Sequence, residues 1–204
     1  MGFGNSRGQW DFEGAKMIIY IHGFGSSGEA TKAQAFRNYC HERGIRYIAP
    51  SLHSIPLLAI NTLSELIESY LENESVHLIG ASLGGYYSLY LSDKYDLKAV
   101  LINPAVNAPE TLKRALGKGV HYYDNSAFEW NESHLEMLEN YEIEEPNVDN
   151  LLLMLQKGDD VLDYEEALEF LEGAKTILEE GGTHGFEGIE RHFEGVMKFL
   201  HVKA

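Results

Sequence analysis

The feature that most constrains the fold is a series of six short, largely apolar runs separated by turn residues. They span residues 17–21, 45–49, 76–79, 99–102, 151–155 and 174–178. Each run is too short for a helix, and most are followed closely by glycine or proline. Strands that stay apolar along their length, instead of alternating, are typical of a parallel sheet covered on both faces. The pattern therefore predicts six buried strands.

Amphipathic stretches lie between these runs. Apolar residues recur at spacings of three and four within residues 33–40, 60–70 and 189–200, which is the period of a helix that buries one face. Alternating strands and helices predict a mostly parallel, doubly wound sheet in a three-layer α/β/α architecture. Because no linker or repeat interrupts the pattern, we expect residues 1–204 to form a single domain.

The connection after Pro104 is too long for a plain crossover. About 45 residues separate it from the strand predicted at Leu151, and long loops in compact domains are commonly functional. Five aromatic residues in this stretch need a packing surface: Tyr122, Tyr123, Phe128, Trp130 and Tyr141. We therefore expect a short lid-like insertion, at about residues 105–149, above the carboxyl ends of the strands.

The charge balance is strongly acidic. Thirty-two acidic residues against 16 basic ones give a formal net charge of -16, which disfavours nucleic acid and anionic membranes as partners. No Lys or Arg lies between Gly119 and Gln156, whereas nine acidic residues do: Asp124, Glu129, Glu132, Glu136, Glu139, Glu142, Glu144, Glu145 and Asp149. This acidic cluster is either a solvated face or the mouth of a site that repels strongly anionic substrates.

The remaining composition indicates the compartment. A single cysteine, Cys40, excludes an internal disulfide and fits a reducing environment. No run of about 18 apolar residues is present, and residues 1–14 lack the apolar core of a secretory signal. We therefore expect a cytoplasmic protein without membrane attachment. No clustered Cys/His spacing suggests a metal, so we expect neither metal nor cofactor.

A G-x-S-x-G pattern follows the third apolar run. Gly80, Ser82 and Gly84 lie between that run and a helical pattern, which is the strand–turn–helix context of a nucleophile elbow. Glycine on both sides permits a strained turn, and the following helix N-terminus favours developing negative charge. The pattern predicts that Ser82 is a nucleophile. The alternative is a tight turn that uses glycine only for packing.

A serine nucleophile needs a histidine base and an acid that orients it. Among nine histidines, His184 follows the last predicted strand and precedes the last helix, which places it at the carboxyl edge of the sheet. The acid should lie between serine and histidine in the chain. Asp159, Asp160 and Asp163 all follow the fifth apolar run. Asp163 is also a candidate N-cap for the next helix.

Two backbone N–H groups are candidates for an oxyanion hole. One should come from the loop after the first strand and the other from the residue after the nucleophile. These positions are Phe24 and Leu83. His22, at the start of the same loop, is expected to organise that loop rather than to act as the base.

Five segments together resemble the small bacterial YqiA-like esterases, a compact branch of the α/β-hydrolases. They are residues 19–27, 80–87, 101–105, 158–164 and 182–189, in the family's order. The resemblance implies the α/β-hydrolase fold and a triad of Ser82, Asp159 and His184. Asp159 is favoured because Asp159-Asp-Val161 matches the D-x-V pattern of many such hydrolases. It also implies activity on short acyl esters without a cofactor.

The function expected from this reading is serine esterase activity on a small-molecule ester, through an acyl-enzyme intermediate. Three alternatives stay open: a thioesterase, a peptidase on the same fold, and a noncatalytic binding protein that retains the fold. A further possibility is an interaction protein that docks a basic partner through the acidic insertion, which is compatible with catalysis. The natural substrate and the oligomeric state are not predicted.

Overall fold

The computed structural model describes residues 16–202, so the expectation about residues 1–14 lies outside the described part. The strands are β1 (Lys16–Ile21), β2 (Arg46–Ile48), β3 (Ser75–Ala81), β4 (Ala99–Ile102), β5 (Gly117–Val120), β6 (Ala127–Trp130), β7 (Leu151–Gln156) and β8 (Lys175–Glu179). Six of them form one sheet in the order β2-β1-β3-β4-β7-β8, and all its pairs are parallel. The six predicted strands are confirmed to within two residues.

Helices cover both faces of this sheet. They are α1 (Thr31–Glu42), α2 (Pro56–Leu71), α3 (Leu83–Tyr95), α4 (Ala108–Thr111), α5 (Glu132–Glu139), α6 (Tyr164–Phe170) and α7 (Phe193–Phe199). The stripe predicted as one C-terminal helix is a 3-10 turn at residues 189–192 followed by α7. Within residues 16–202, no helix is long and apolar enough to cross a membrane.

The two faces of the sheet bury separate apolar layers. Side chains alternate along β1, so that Ile18 packs with Phe36 of α1 and Val196 of α7, whereas Ile19 packs with Leu63 of α2 on the opposite face. Strands buried on both sides need apolar residues at every position. The three-layer α/β/α architecture expected from the apolar runs is therefore confirmed.

The insertion contains a two-stranded antiparallel hairpin that the sequence analysis did not predict. Strands β5 and β6 have four residues each and are mostly exposed, so they lack the apolar periodicity that identifies a buried strand. The hairpin ends at Trp130, which is fully buried and donates its indole N–H to Leu112 O at 3.2 Å. The helix that follows, α5, is fixed by a hydrogen bond from Tyr86 Oη to Leu138 O (2.8 Å).

The parallel arrangement brings the loops after β1, β3, β4, β7 and β8 to one edge of the sheet, where ligands bind in open α/β folds. Close backbone contacts fix the central part of this edge. A Cβ at Gly84 would lie 2.0 Å from Ile21 O, and one at Gly80 would lie 2.2 Å from Gly84 O. Glycine at both positions lets α3 lie directly against β1 and β3.

Gly84→Ala should destabilise the protein by about 1–3 kcal/mol or more, because the added methyl overlaps backbone that cannot move aside. Gly195→Ala in α7 is the matched control, since nothing lies within 4 Å of its added Cβ. This control should gain about 0.5–1 kcal/mol from helix propensity. Urea unfolding followed by far-UV circular dichroism measures both, and equal stabilities for Gly84→Ala and wild type would contradict the packing argument.

Candidate active site

Ser82 lies in a sharp turn between β3 and α3. Its backbone has φ 54° and ψ -120°, a conformation that costs a non-glycine residue about 1–3 kcal/mol. The Ser82 N–H donates to Ile102 O (3.0 Å), and Ser82 O accepts from the Ala105 N–H (3.1 Å). These hydrogen bonds join the turn to the end of β4 and the loop beyond it, and they hold the strained conformation in place.

His184 lies between Ser82 and Asp159 and is hydrogen-bonded to both. The distance from Ser82 Oγ to His184 Nε2 is 3.0 Å, and that from His184 Nδ1 to Asp159 Oδ2 is 2.8 Å. Because a carboxylate only accepts, Nδ1 carries the proton and Nε2 accepts from the serine hydroxyl. The structure thus brings three residues together from the loops after β3, β7 and β8.

Asp159 is held as a buried carboxylate. Its side chain is 2% exposed, and Oδ1 accepts hydrogen bonds from the N–H groups of Val161 (2.8 Å) and Leu162 (2.9 Å). Burial alone would raise the pKa of Asp159, but the hydrogen bonds from His184 and these two amides bring it below its ordinary value. Asp159 therefore stays charged opposite His184.

The two other candidate carboxylates have different positions. Asp160 is exposed at the edge of the cleft. Asp163 is the N-cap of α6 and accepts from the Glu165 N–H at 2.9 Å, as the capping alternative predicted. Of the three, Asp159 is the carboxylate hydrogen-bonded to His184.

Phe24 and Leu83 both border the cleft at Ser82. Leu83 is the first residue of α3, so its N–H belongs to the helix terminus, where amides have no partner within the helix. The loop carrying Phe24 passes close to Ser82, since a Cβ at Gly23 would lie 3.1 Å from Ser82 Cβ. The Phe24 ring packs edge-on against Trp130 of the insertion, with 4.8 Å between ring centroids.

His22 connects two loops. Its Nε2 accepts from the Leu52 N–H (2.8 Å), so its Nδ1–H donates to Gly23 O (2.9 Å). Burial lowers the pKa of His22, which favours this neutral form. The position agrees with the expected role of His22 in organising the loop.

Asn103 is a residue of this site that the sequence analysis missed. It follows β4 with φ 41°, and its Nδ2 donates to Thr183 O (3.1 Å) and His184 O (3.2 Å). Its Oδ1 accepts from the Gln156 N–H at 3.1 Å. In the sequence, Asn103-Pro104 indicates only the end of a strand. An amide side chain directly after a buried strand, at the edge where ligands bind, is the signal that could have identified it.

Gln156, the last residue of β7, also binds the loop that carries His184. Its Oε1 accepts from the N–H groups of Thr183 (3.2 Å) and Glu187 (2.8 Å), and its Nε2 donates to Glu179 Oε2 at 2.8 Å. Together, Asn103 after β4 and Gln156 at the end of β7 give the loop around His184 polar partners at the edge of the sheet. Such support fixes the orientation of the imidazole relative to Ser82.

The cleft above Ser82 has a volume of about 640 Å³. Its lining mixes apolar side chains such as Leu112 and Leu162 with polar ones, as is typical of small-molecule sites. Asp160 is its acidic member, and none of the nine residues of the acidic cluster borders it. The lining favours the interpretation of that cluster as a solvated face, because the insertion contributes Leu112, Arg114 and Tyr122 to the cleft instead.

No group of three or more His, Cys, Asp or Glu side chains in residues 16–202 is arranged to hold a metal ion.

An all-parallel sheet of this strand order, with a serine elbow after its third strand, has the α/β-hydrolase fold. The chain belongs to UPF0227, described as an uncharacterised protein family, whose model matches residues 17–201. The expected membership of a small bacterial α/β-hydrolase family is thereby confirmed. Relatives include a UPF0227 protein of Enterobacter sp. strain 638, which is 25% identical over 187 residues and covers 90% of this chain and 98% of its own. YcfP of Salmonella newport is 24% identical over 187 residues with the same coverage.

Solved structures similar to this chain share its fold. Est1E from Butyrivibrio proteoclasticus superposes with a TM-score of 0.73 at 16% identity, covering 94% of this chain and 89% of that one. Mouse alpha/beta hydrolase domain-containing protein 10 gives a TM-score of 0.71 at 16% identity, with 91% and 89% covered. At this identity the likeness concerns the fold alone.

Asn103→Ala should slow the reaction of Ser82 with a fluorophosphonate probe about 10- to 100-fold, because a small displacement of His184 weakens the activation of the hydroxyl. Asn150→Ala is the control: its Nδ2 donates to Asp96 Oδ1 on the surface (2.8 Å). Labelling reactions quenched at a series of times and quantified by in-gel fluorescence give the labelling rate constant of each variant. Equal rates for the two variants would show that the His184 loop keeps its position without Asn103.

Proposed function

We propose that this protein is a serine hydrolase that cleaves carboxylic esters of short acyl chains through an acyl-enzyme intermediate. Ser82 is the nucleophile, His184 the general base and acid, and Asp159 the carboxylate that orients His184. The N–H groups of Phe24 and Leu83 form the oxyanion hole. No cofactor takes part in this mechanism.

The observation that carries this proposal is the continuous hydrogen-bonded chain from Ser82 to Asp159, at the floor of an open cleft. The 3.0 Å distance from Ser82 Oγ to His184 Nε2 is short enough for proton transfer, and the 2.8 Å distance from Nδ1 to Asp159 Oδ2 is that of a hydrogen bond that orients the ring. A serine hydroxyl is a weak nucleophile, and an imidazole in this position removes its proton as it attacks. The buried, anionic Asp159 stabilises the imidazolium that forms.

In the first half-reaction, Ser82 Oγ bonds to the ester carbonyl carbon and its proton passes to His184 Nε2. The carbonyl oxygen becomes an oxyanion that accepts hydrogen bonds from the two backbone amides, aided by the positive end of the α3 dipole. The C–O bond to the alcohol then breaks, and His184 gives the alcohol its proton. The acyl group remains on Ser82.

In the second half-reaction, water attacks the acyl-enzyme and His184 Nε2 accepts its proton. The tetrahedral intermediate expels Ser82, which recovers a proton from His184, and the carboxylic acid is released. Proton uptake and release balance over the cycle, so the enzyme returns to its starting state.

In this proposal, residues 105–149 belong to the single domain and cover part of the cleft at Ser82. Thr111, Leu112 and Tyr122 border the cleft, and the Tyr122 N–H donates to Gly25 O at 2.8 Å. The contact of Trp130 with Phe24 joins the cover to the oxyanion loop. A cleft bordered on one side by such a short segment favours small acyl groups.

Ser82→Ala should abolish fluorophosphonate labelling and lower kcat/KM for p-nitrophenyl acetate and butyrate by about 10⁶-fold, the range for loss of a serine nucleophile. Ser133→Ala is the control, because Ser133 lies exposed on α5 and its hydroxyl donates to Asn131 Oδ1 at 2.7 Å. A folded wild type that is neither labelled nor active would overturn the proposal in favour of a noncatalytic binding protein. Faster turnover of acyl thioesters or peptides would move the assignment to those substrates.

Asp159→Asn should lower kcat about 10³- to 10⁴-fold, since the amide no longer stabilises the imidazolium or holds its tautomer. Asp160→Asn makes the same chemical change one residue later, at an exposed position, and should lower kcat by less than about 10-fold. Steady-state hydrolysis of p-nitrophenyl butyrate compares them. The reverse order of effects would transfer the role to Asp160.

A further inference from the structure

A lysine forms part of the cleft wall beside the proposed general base. Lys32, in the first turn of α1, donates from Nζ to Gly185 O at 2.8 Å, and Gly185 directly follows His184. The side chain is half-buried and borders the same cleft as Ser82. The ammonium is thus held at a defined point next to the reacting groups, not extended into solvent.

The charge around this point differs from that of the protein as a whole. The chain carries a formal net charge of -16, yet the charged side chains that line the cleft are Lys32, Arg114 and Asp160. Arg114 is anchored by a hydrogen bond from Nη1 to Val161 O at 3.1 Å. Cationic side chains therefore outnumber carboxylates on the cleft wall, and the buried Asp159 carboxylate lies just behind it, hydrogen-bonded to His184.

Placing an ammonium there has an energetic cost that an anionic ligand would reduce. Burial lowers the pKa of Lys32 to about 8, and the nearby Asp159 carboxylate offsets only part of this effect. The ammonium has three N–H donors, of which the Gly185 carbonyl takes one. A partly desolvated cation regains stability when a carboxylate binds it directly.

We propose that Lys32 binds a carboxylate carried by the substrate, so that the preferred substrates are esters with a single negative charge. This inference rests on the proposed esterase function and specifies the substrate class of the same site. The carboxylate belongs either to the acyl part, as in a half-ester of a dicarboxylic acid, or to the alcohol part, as in an ester of a hydroxy acid.

Two matched substrate pairs test the proposal. Mono-4-nitrophenyl glutarate and 4-nitrophenyl valerate have acyl chains of equal length and differ by the carboxylate. 4-Acetoxybenzoate and its methyl ester carry the difference on the leaving group instead. The variants are Lys32→Met, Lys32→Arg and, as control for the loss of one positive charge, Lys94→Met on the exposed side of α3.

Lys32→Met should lower kcat/KM for the anionic member of at least one pair by about 10- to 100-fold, mainly through KM, which is the range for a hydrogen bond to a charged group. The neutral member should change by less than about 3-fold. Lys32→Arg should keep most of the preference, and Lys94→Met should leave the anionic-to-neutral ratio unchanged. The pair that responds identifies which part of the substrate carries the carboxylate.

Equal losses on anionic and neutral substrates would overturn the inference, because they would mean that Lys32 only positions the His184 loop through Gly185 O. No loss on either pair would overturn it as well. In both cases fluorophosphonate labelling of Ser82 would persist, whereas failure of the esterase proposal itself would appear as an unlabelled, inactive wild type.

Discussion

The approach of the Ser82 turn to the end of β1 determines most of this site. An added Cβ at Gly84 would lie 2.0 Å from Ile21 O, so α3 can pack here only because that position has no side chain. The contact brings the loop after β1 alongside Ser82, where a Cβ at Gly23 would lie 3.1 Å from Ser82 Cβ. It also holds Ser82 at a positive φ, and the hydrogen bonds from neighbouring loops offset the strain.

The position of His184 depends on a second interaction, a network of polar side chains around its loop. Asn103 and Gln156 bind the loop around His184, and Gln156 in turn donates to Glu179. Arg191, together with Gln156 and a neighbouring histidine, holds the pKa of Glu179 at about 2, so this carboxylate stays charged and the network stays intact near neutral pH. Asn103 lies 80 positions before Thr183, which is why its role could not be inferred from local sequence.

Charge is segregated over the molecule. The insertion carries nine acidic residues, none of which lines the cleft, whereas Lys32 of α1 and Arg114 of the insertion do. Negative charge on the exterior repels other anions over a distance of about one Debye length, ~8–10 Å. A few cations inside a low-dielectric cleft act over short range, where they are screened least. The net charge of the whole chain is therefore a poor guide to the charge of the ligand that this cleft would bind.

The sequence by itself determined the six-stranded parallel sheet and the positions of Ser82 and His184, because apolar runs and the residues that end them are local properties of the chain. Spacing alone leaves Asp159, Asp160 and Asp163 open, and Asp159 is preferred only through a resemblance to the D-x-V pattern. The tertiary structure is what brings the Asp159 carboxylate to His184 and to two backbone amides. It alone formed the hairpin of β5 and β6, whose strands are too short and exposed to show a pattern. It alone brought Lys32 to the cleft, because that contact joins segments 153 positions apart.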